Sequence, residues 1–310
     1  MRPFSRVTVS AAVLAFSGLF FGYACAIPSK TSVQNPAPGV DIAALQKEIV
    51  SVLAGGSDIK PGIKLPNRAA LENKAMARAY LIDLWKRLGF DLQAHDYSPE
   101  GRNLFALLPS TIGSSEFVVV GAHYDTARNS PGANDDATGV AVVTAAAAEM
   151  GRLPARSRNI IFVLFDEEER GLRGSRAFAQ KLKDENRVVH SVHTIDQMGW
   201  DADGDRTVEL EIPFDGAVAL YEKAAKALPV PVLLWTTTEA GSDHTAFRKL
   251  GFPAVGLTEE YRHQDTTPHI HRPTDAAETV DFAYLRSTTN LVVEVLKILT
   301  RFDFVPLSAI

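Results

Sequence analysis

Several acidic and imidazole side chains stand where an apolar run gives way to a turn. His123 and Asp125 close "FVVVGAHYD", and Asp135 follows in "PGANDDATG". Glu167, Glu168 and Glu169 close "IFVLFDEEE", Asp196 closes "VHTID", and "HIHRPTD" comes after the run "PAVGLTEE". A polar group at the buried end of a strand costs free energy unless something pairs with it. Imidazoles and carboxylates brought together are ligands for a divalent cation, so a metal ion is the obvious partner. Taken singly, each piece has a plain reading: a loop histidine is solvated, an Asp beside Gly makes a turn, and three glutamates form a charged face. Four strands delivering such residues to one edge read instead as a built site, because open α/β sheets bind ligands beyond the carboxyl ends of their strands.

The elements that must position these residues follow from hydrophobic periodicity. Asp41 is placed to cap a helix over "IAALQKEIVSVLA", ended by Gly55-Gly56, and "NRAALENKAMARAYLIDLWKRLG" reads as a second, longer helix. Strands are expected at "FDLQAHDY", "RNLFALLP" and "EFVVVGAHYD", the last apolar almost throughout, as a strand covered on both faces should be. Beyond Asp136 the order is a helix at 138–152, the strand "NIIFVLFDEEE", a helix over "GSRAFAQKLKDE", then the strands "SVHTIDQMG" and "TVELEI". A helix near 216–228, the strands "VPVLLWTT" and "FPAVGLTEE", and a closing helix capped by Asp281 complete the chain. This alternation predicts a single α/β domain over 41–310, a mixed and mostly parallel central sheet sandwiched by helices.

Six segments, in order, carry a family resemblance: "GAHYD", "PGANDDATG", "FDEEERGLRGS", "TIDQMG", "GSDHTAF" and "HIHRPTDAAETVD". They resemble the signature segments of the di-zinc aminopeptidases, including leucyl-type bacterial enzymes, whose superfamily also contains glutaminyl cyclases and glutamate carboxypeptidases. The likeness runs from about Ala69 to the closing helix. It implies two Zn²⁺ ions per chain, with His123 and Asp196 on the first, Glu169 and His271 on the second, and Asp135 bridging both. Asp125 would orient the His123 imidazole, and Glu168 would be the general base. Glu167 is left as a flank; a shift of one residue would exchange it with Glu168, against the spacing to "GLRGS". His269 competes with His271, and the family's spacing to Asp275 selects His271. The likeness also implies a non-proline cis peptide at Asp135–Asp136. Some family aminopeptidases carry a tyrosine before "SDH" as an oxyanion donor; here "TTTEAGSDH" has none, which leaves Glu239 near that position and Tyr261 or a backbone N–H as substitutes. His244 is read as structural, and His95, His190, His193 and His263 as surface groups.

The implied chemistry is consistent with charge. Two Zn²⁺ bring four positive charges against three from Asp135, Asp196 and Glu169, so a bound hydroxide restores neutrality and serves as nucleophile. The expected reaction is hydrolysis of the N-terminal residue from peptides with a free N-terminus. Cobalt or manganese suit the same ligands. Rival readings are a glutaminyl cyclase, a carboxypeptidase or deacylase using Arg128, Arg173 or Arg262 for a substrate carboxylate, and a binding domain without catalysis. A serine hydrolase is disfavoured, since no G-x-S-x-G elbow occurs.

At 310 residues with 46% hydrophobic and 22% charged, the chain reads as globular rather than disordered, and 32 basic against 37 acidic residues without a basic block give no footprint for nucleic acid. Residues 1–26 have the pattern of an export signal: Arg2 and Arg6, an uncharged apolar run over Val7–Tyr23, then Ala24-Cys25-Ala26. Cleavage would remove Cys25, the only cysteine, and take the net charge from -5 to -7 by loss of the two arginines. The expectation is a periplasmic or secreted protein with no stable membrane span after cleavage; lipid attachment at Cys25 is the alternative. Residues 27–40, "IPSKTSVQNPAPGV", read as a linker.

Overall fold

A computed structural model describes residues 39–239, 241–262 and 264–302. The signal-type segment, the linker before residue 39 and His263 lie outside the described residues. Eight strands form one sheet: β1 (Gln93–Asp96), β2 (Arg102–Leu108), β3 (Glu116–His123), β4 (Asn159–Phe165), β5 (Val188–Ile195), β6 (Val208–Glu211), β7 (Leu234–Thr237) and β8 (Ala254–Thr258). Their order is β1-β2-β4-β3-β5-β8-β6-β7, with β4, β3, β5 and β8 mutually parallel, β2 antiparallel to β4, and β6 antiparallel to β8. The sheet is therefore mixed with a parallel centre, as the alternation predicts.

Among the described residues seven helices cover it: α1 (Ile42–Leu53), α2 (Leu71–Arg87), α3 (Thr138–Gly151), α4 (Arg173–Asp184), α5 (Ala217–Lys226), α6 (His244–Lys249) and α7 (Phe282–Thr300). Alternate side chains of β3 divide between two cores, because successive strand residues point to opposite faces. Val118, Val120 and Ala122 pack with residues of α1, α2, α3, α5 and α7, while Phe117 and Val119 pack with α4 and α6. Asp41 caps α1 by accepting from the Ala44 N–H at 3.1 Å, and Asp281 caps α7 by accepting from Ala283 and Tyr284. Among the described residues no helix is long and apolar enough to cross a membrane.

Two differences from the sequence reading have identifiable causes. Helix α2 begins at Leu71 rather than Asn67, because Asn67 and Arg68 are used elsewhere: Asn67 Oδ1 accepts from the Ala69 N–H, and the Arg68 N–H goes to Thr126 Oγ1 at 2.9 Å. The short helix α6 carries no long apolar period, and the sequence reading does not place it.

The surface reading of His193 is wrong. It is 1% exposed, with Nδ1 2.9 Å from Tyr221 Oη and Nε2 3.0 Å from Ser191 Oγ. His95 is half-buried against Phe178, and His190 is exposed as expected. Burial, with the charge of His190, pushes His193 down to about 3 from 6.5. In that window the unfolded chain binds a proton that the folded one refuses, so this contribution to stability is full above pH 6.5 and is lost as pH falls towards 3. The acid limb of a curve of unfolding free energy against pH, from urea titrations, is expected to flatten in His193→Gln by up to about 1.4 kcal/mol per pH unit. An unchanged limb would show that His193 does not carry it.

Candidate metal centre

Strand adjacency assembles the site. His123 ends β3 beside Phe165, the last residue of β4, so the turn carrying Glu167–Glu169 starts next to it. Asp196 follows β5, on the other side of β3. Asp135 lies in a single turn over Ala133–Ala137 that opens α3, and the Asp135–Asp136 peptide is cis, as the resemblance implies. His271 comes from the loop after β8.

Asp135 is the centre of the geometry. Its Oδ1 lies 3.2 Å from His123 Nε2 and its Oδ2 lies 3.1 Å from His271 Nε2. Asp196 Oδ1 is 3.6 Å from the same His123 nitrogen, and Glu169 Oε2 is 3.1 Å from the same His271 nitrogen. Asp135, Glu169 and His271 each offer a ligand atom within 4.8 Å of the others. His123 and Asp196 form such a group with Asp136 as well. Asp136 is nevertheless already engaged: Oδ2 accepts from the His123 N–H, and Oδ1 from the N–H groups of Gly139 and Gln197. It reads as a backbone anchor. His269 is turned away, bonded to Thr274 Oγ1 at 2.9 Å and edge-on to Trp200.

Asp125 organises two things at once. Its backbone carbonyl is 3.3 Å and its Oδ1 3.5 Å from His123 Nδ1, while Oδ1 and Oδ2 accept from the N–H groups of Glu168 and Glu169 at 3.0 and 3.3 Å. Asp275 holds the opposite side, accepting from the N–H groups of Asn134 and Asp135. Asn134 in turn donates its amide to Glu259 Oε2 at 2.8 Å. Left-handed backbone at the non-glycine residues Glu167, Leu172, Gln197 and His271 is gathered around this cluster, as strained conformations commonly are at functional sites.

The sequence offers no signal for Arg68, which looks like one more base in a helical pattern. It is wholly buried, and its guanidinium donates to the carbonyls of Leu53, Tyr124, Pro131 and Gly132 at 2.7–2.8 Å. It thus ties α1 to both ends of the loop that returns the chain from His123 to Asp135. Gly132 makes the approach possible: its φ is +70°, and a Cβ there would sit 2.2 Å from Thr126 Cγ2 and 2.8 Å from Arg68 Nη2. Burial pushes Arg68 down to about 10 against the raising effect of Asp275, Asp136, Asp125 and Asp135, so it stays charged at neutral pH. Arg68→Met would strand four carbonyls, and unfolding in urea is expected to show a loss of about 3 kcal/mol or more. Arg68→Lys should recover only part of it, since an ammonium lacks the planar fork. A change below about 0.5 kcal/mol would contradict this role.

Electrostatics separate the acids of the cluster. Burial pushes Glu168 up to about 10, partly opposed by His123 and reinforced by Asp243, Asp196 and Asp125. Burial and Asp135 push Glu169 up to about 7. Burial acts the same way on Asp135, but the His123 and His271 imidazoles facing its two oxygens outweigh it and hold the group below the ordinary range. His271 is raised to about 9, chiefly by its bond to Asp135. A crowd of carboxylates around two imidazoles is the environment a cation stabilises. The buried Nε2 of His123 and Oδ1 of Asp196 have no hydrogen-bond partner, and buried polar atoms without partners are rare unless an ion or water serves them. The donor set of imidazole nitrogen and carboxylate oxygen fits zinc.

Glu167 is not the solvated flank that a run of glutamates suggests. It is 2% exposed, 2.7 Å from Arg170 and 3.6 Å from buried Lys74, which also pairs with Asp166 at 2.9 Å. Glu168 faces a cleft of about 1280 Å³ that also contains Asp135, Glu169, Asp196 and His271. Tyr261 lines it too, but its hydroxyl donates to Gln197 Oε1 at 2.5 Å and would have to leave that bond to serve a substrate. Glu239 and Arg262 line the same cleft, whereas Arg128 is exposed away from it and Arg173 lies 3.8 Å from Glu167. His244 is fully buried, in accord with its structural reading.

The chain belongs to peptidase family M28, which matches residues 103–296. A probable leucine aminopeptidase of Trichophyton verrucosum is 31% identical over 204 residues, covering 59% of this chain and 53% of the relative. The chain thus spans about half the length of the curated relatives it matches. The structure of the LapA aminopeptidase of Legionella pneumophila superposes with a TM-score of 0.71 at 20% identity, covering 88% of this chain and 76% of the other. BSAP, a zinc aminopeptidase from Bacillus subtilis, gives 0.58 at 23% identity over 65% of this chain and 50% of that one. An Acidobacteriales glutaminyl cyclase gives 0.68 at 18% identity over 87% of this chain and 98% of the other. At these identities the structural likeness is one of fold.

Proposed function

We propose that the protein is a metal-dependent aminopeptidase that holds two zinc ions and removes N-terminal residues from peptides. The observation that carries this reading is the Asp135 carboxylate, each oxygen of which faces a different histidine, 3.2 Å from His123 and 3.1 Å from His271. Asp196 would complete one ion's ligands and Glu169 the other's. Bound there, zinc would supply a Lewis acid for the scissile carbonyl and for the attacking water.

The rest of the reaction falls to the chain's own groups. Glu168 lines the cleft beside the ligands without belonging to either set, and would take the proton of the water and return it to the leaving amine. Its high proton affinity would fall towards neutrality beside two cations, where a proton-shuttling group works best. Asp125 would hold Glu168 and Glu169 by their N–H groups while orienting His123. The substrate's free α-amine would meet acidic side chains, which favours cleavage at N-termini. The signal-type N-terminus supports export before action.

The test uses one leucyl peptide, free or N-acetylated, with the zinc-loaded protein. Cleavage of the free form alone, abolished by a chelator, is the expected result. Cleavage of the blocked form would replace this reading with a deacylase or carboxypeptidase. Cyclisation of an N-terminal glutamine without hydrolysis would replace it with a glutaminyl cyclase. Inertness to all three would leave a binding domain.

A further inference from the structure

The cleft has a second acidic wall that the metal centre does not use. Glu209 and Glu211 lie two apart on β6 and so project to the same face of the sheet, while Leu210 between them enters the core. Both line the cleft, as does Glu239 beyond β7. Glu209 is 1% exposed, with Oε2 accepting from the Arg262 N–H at 3.0 Å. Among the described residues, none of the three forms an ion pair with a lysine or arginine.

An independent feature lies behind Glu211. His244 is fully buried, and neither of its ring nitrogens has a hydrogen-bond partner. Its Nδ1 is turned on Glu211 Oε2 at 3.6 Å. Room for this pair comes from Gly256, opposite Glu211 in the β6–β8 register: a Cβ there would sit 2.5 Å from Glu211 Oε2 and 2.6 Å from His244 Nδ1. A half-buried carboxylate that accepts from the Gly241 N–H thus faces a buried imidazole whose own nitrogens have no hydrogen-bond partner.

We propose that this wall selects peptides whose N-terminal residue is cationic, lysine or arginine. The inference rests on the aminopeptidase reading and names its substrate class. Two zinc ions would be offset by Asp135, Asp196, Glu169 and the nucleophile, which leaves the half-buried Glu211 and the exposed Glu239 facing the cleft without a lysine or arginine ion pair, above the buried Glu209. The single lysine or arginine side chain lining the cleft among the described residues is Arg262, and its guanidinium is held on the Thr236 carbonyl at 3.1 Å. A leucyl side chain seated against Glu211 and Glu239 would strip their water and return no hydrogen bond. An ammonium or guanidinium returns several, and its aliphatic stem can lie along Ile212, Pro213 and Ile270, which line the same cleft.

The test compares lysyl, norleucyl and leucyl p-nitroanilides with the full zinc-loaded chain; norleucine has the carbon chain of lysine without the ammonium. The lysyl substrate is expected to exceed the norleucyl one at least tenfold in kcat/KM. That ratio should fall at least tenfold in Glu211→Gln and in the exposed-site variant Glu239→Gln, which is less exposed to folding failure. Calorimetry should show lysinamide binding at least tenfold tighter than norleucinamide. Equal or better use of the norleucyl substrate overturns the proposal while leaving the aminopeptidase reading intact. If no substrate is cleaved, the aminopeptidase reading fails, and the calorimetric preference for lysinamide then decides the fate of the acidic wall by itself.

Discussion

Replacing Glu168 by Gln is expected to lower turnover of a leucyl peptide by about a thousandfold, the middle to upper range for a lost general acid–base group, while zinc content stays near that of the unmodified protein. The amide keeps the shape of the side chain and its place in the cleft. The backbone N–H that Asp125 holds at 3.0 Å is untouched. What is lost is the ability to accept a proton and hand it on. Metal analysis and kcat must be measured on the same sample, because loss of zinc together with activity would make Glu168 a ligand instead. Glu167→Gln is the companion variant: it breaks the pairs with Arg170 and Lys74 and should register in stability. A large kcat loss at Glu167 with little at Glu168 would shift the register of the glutamates by one residue.

Zinc is expected to stabilise the fold, and Asp135 is expected to be necessary for that. A ligand at a thousand times its Kd contributes about 4 kcal/mol per site. For a chain of this size about 2 °C of Tm accompanies each kcal/mol, so filling one site should raise Tm by roughly 8 °C. Asp135→Asn removes the negative charge between two imidazoles that lie 3.2 and 3.1 Å from its oxygens. The rise on adding zinc should then shrink to less than half, as read by calorimetric scans with and without metal. A rise of undiminished size in the variant would remove Asp135 from the site.

Much of the fold is legible along the chain because its central strands are uniformly apolar and end in polar turns. Strands β3 and β4 and helices α1 and α7 lie close to where periodicity and the caps Asp41 and Asp281 put them. The beginning of α2 is not legible, since Arg68 leaves the helix to bond carbonyls that are 15 to 64 residues away in sequence. Burial of His193 and Glu167 is hidden for a similar reason: their partners Tyr221 and Lys74 come from other stretches of chain.

The sequence by itself determined which side chains can coordinate or transfer a proton, and that they stand at the ends of strands. Composition and local period carry that information, since residue type and alternation are properties of neighbours. Only the tertiary structure decided that β3 lies between β4 and β5, which is what brings His123, the glutamates and Asp196 to one edge. It also decided that Arg68 and Asp275 clamp the loop between His123 and Asp135, and that Glu209 and Glu211 line the same cleft as the candidate metal ligands. The physical reason is that strand order and buried hydrogen bonds join residues far apart in sequence. Those pairings are selected by packing the whole core at once, and no local pattern records them.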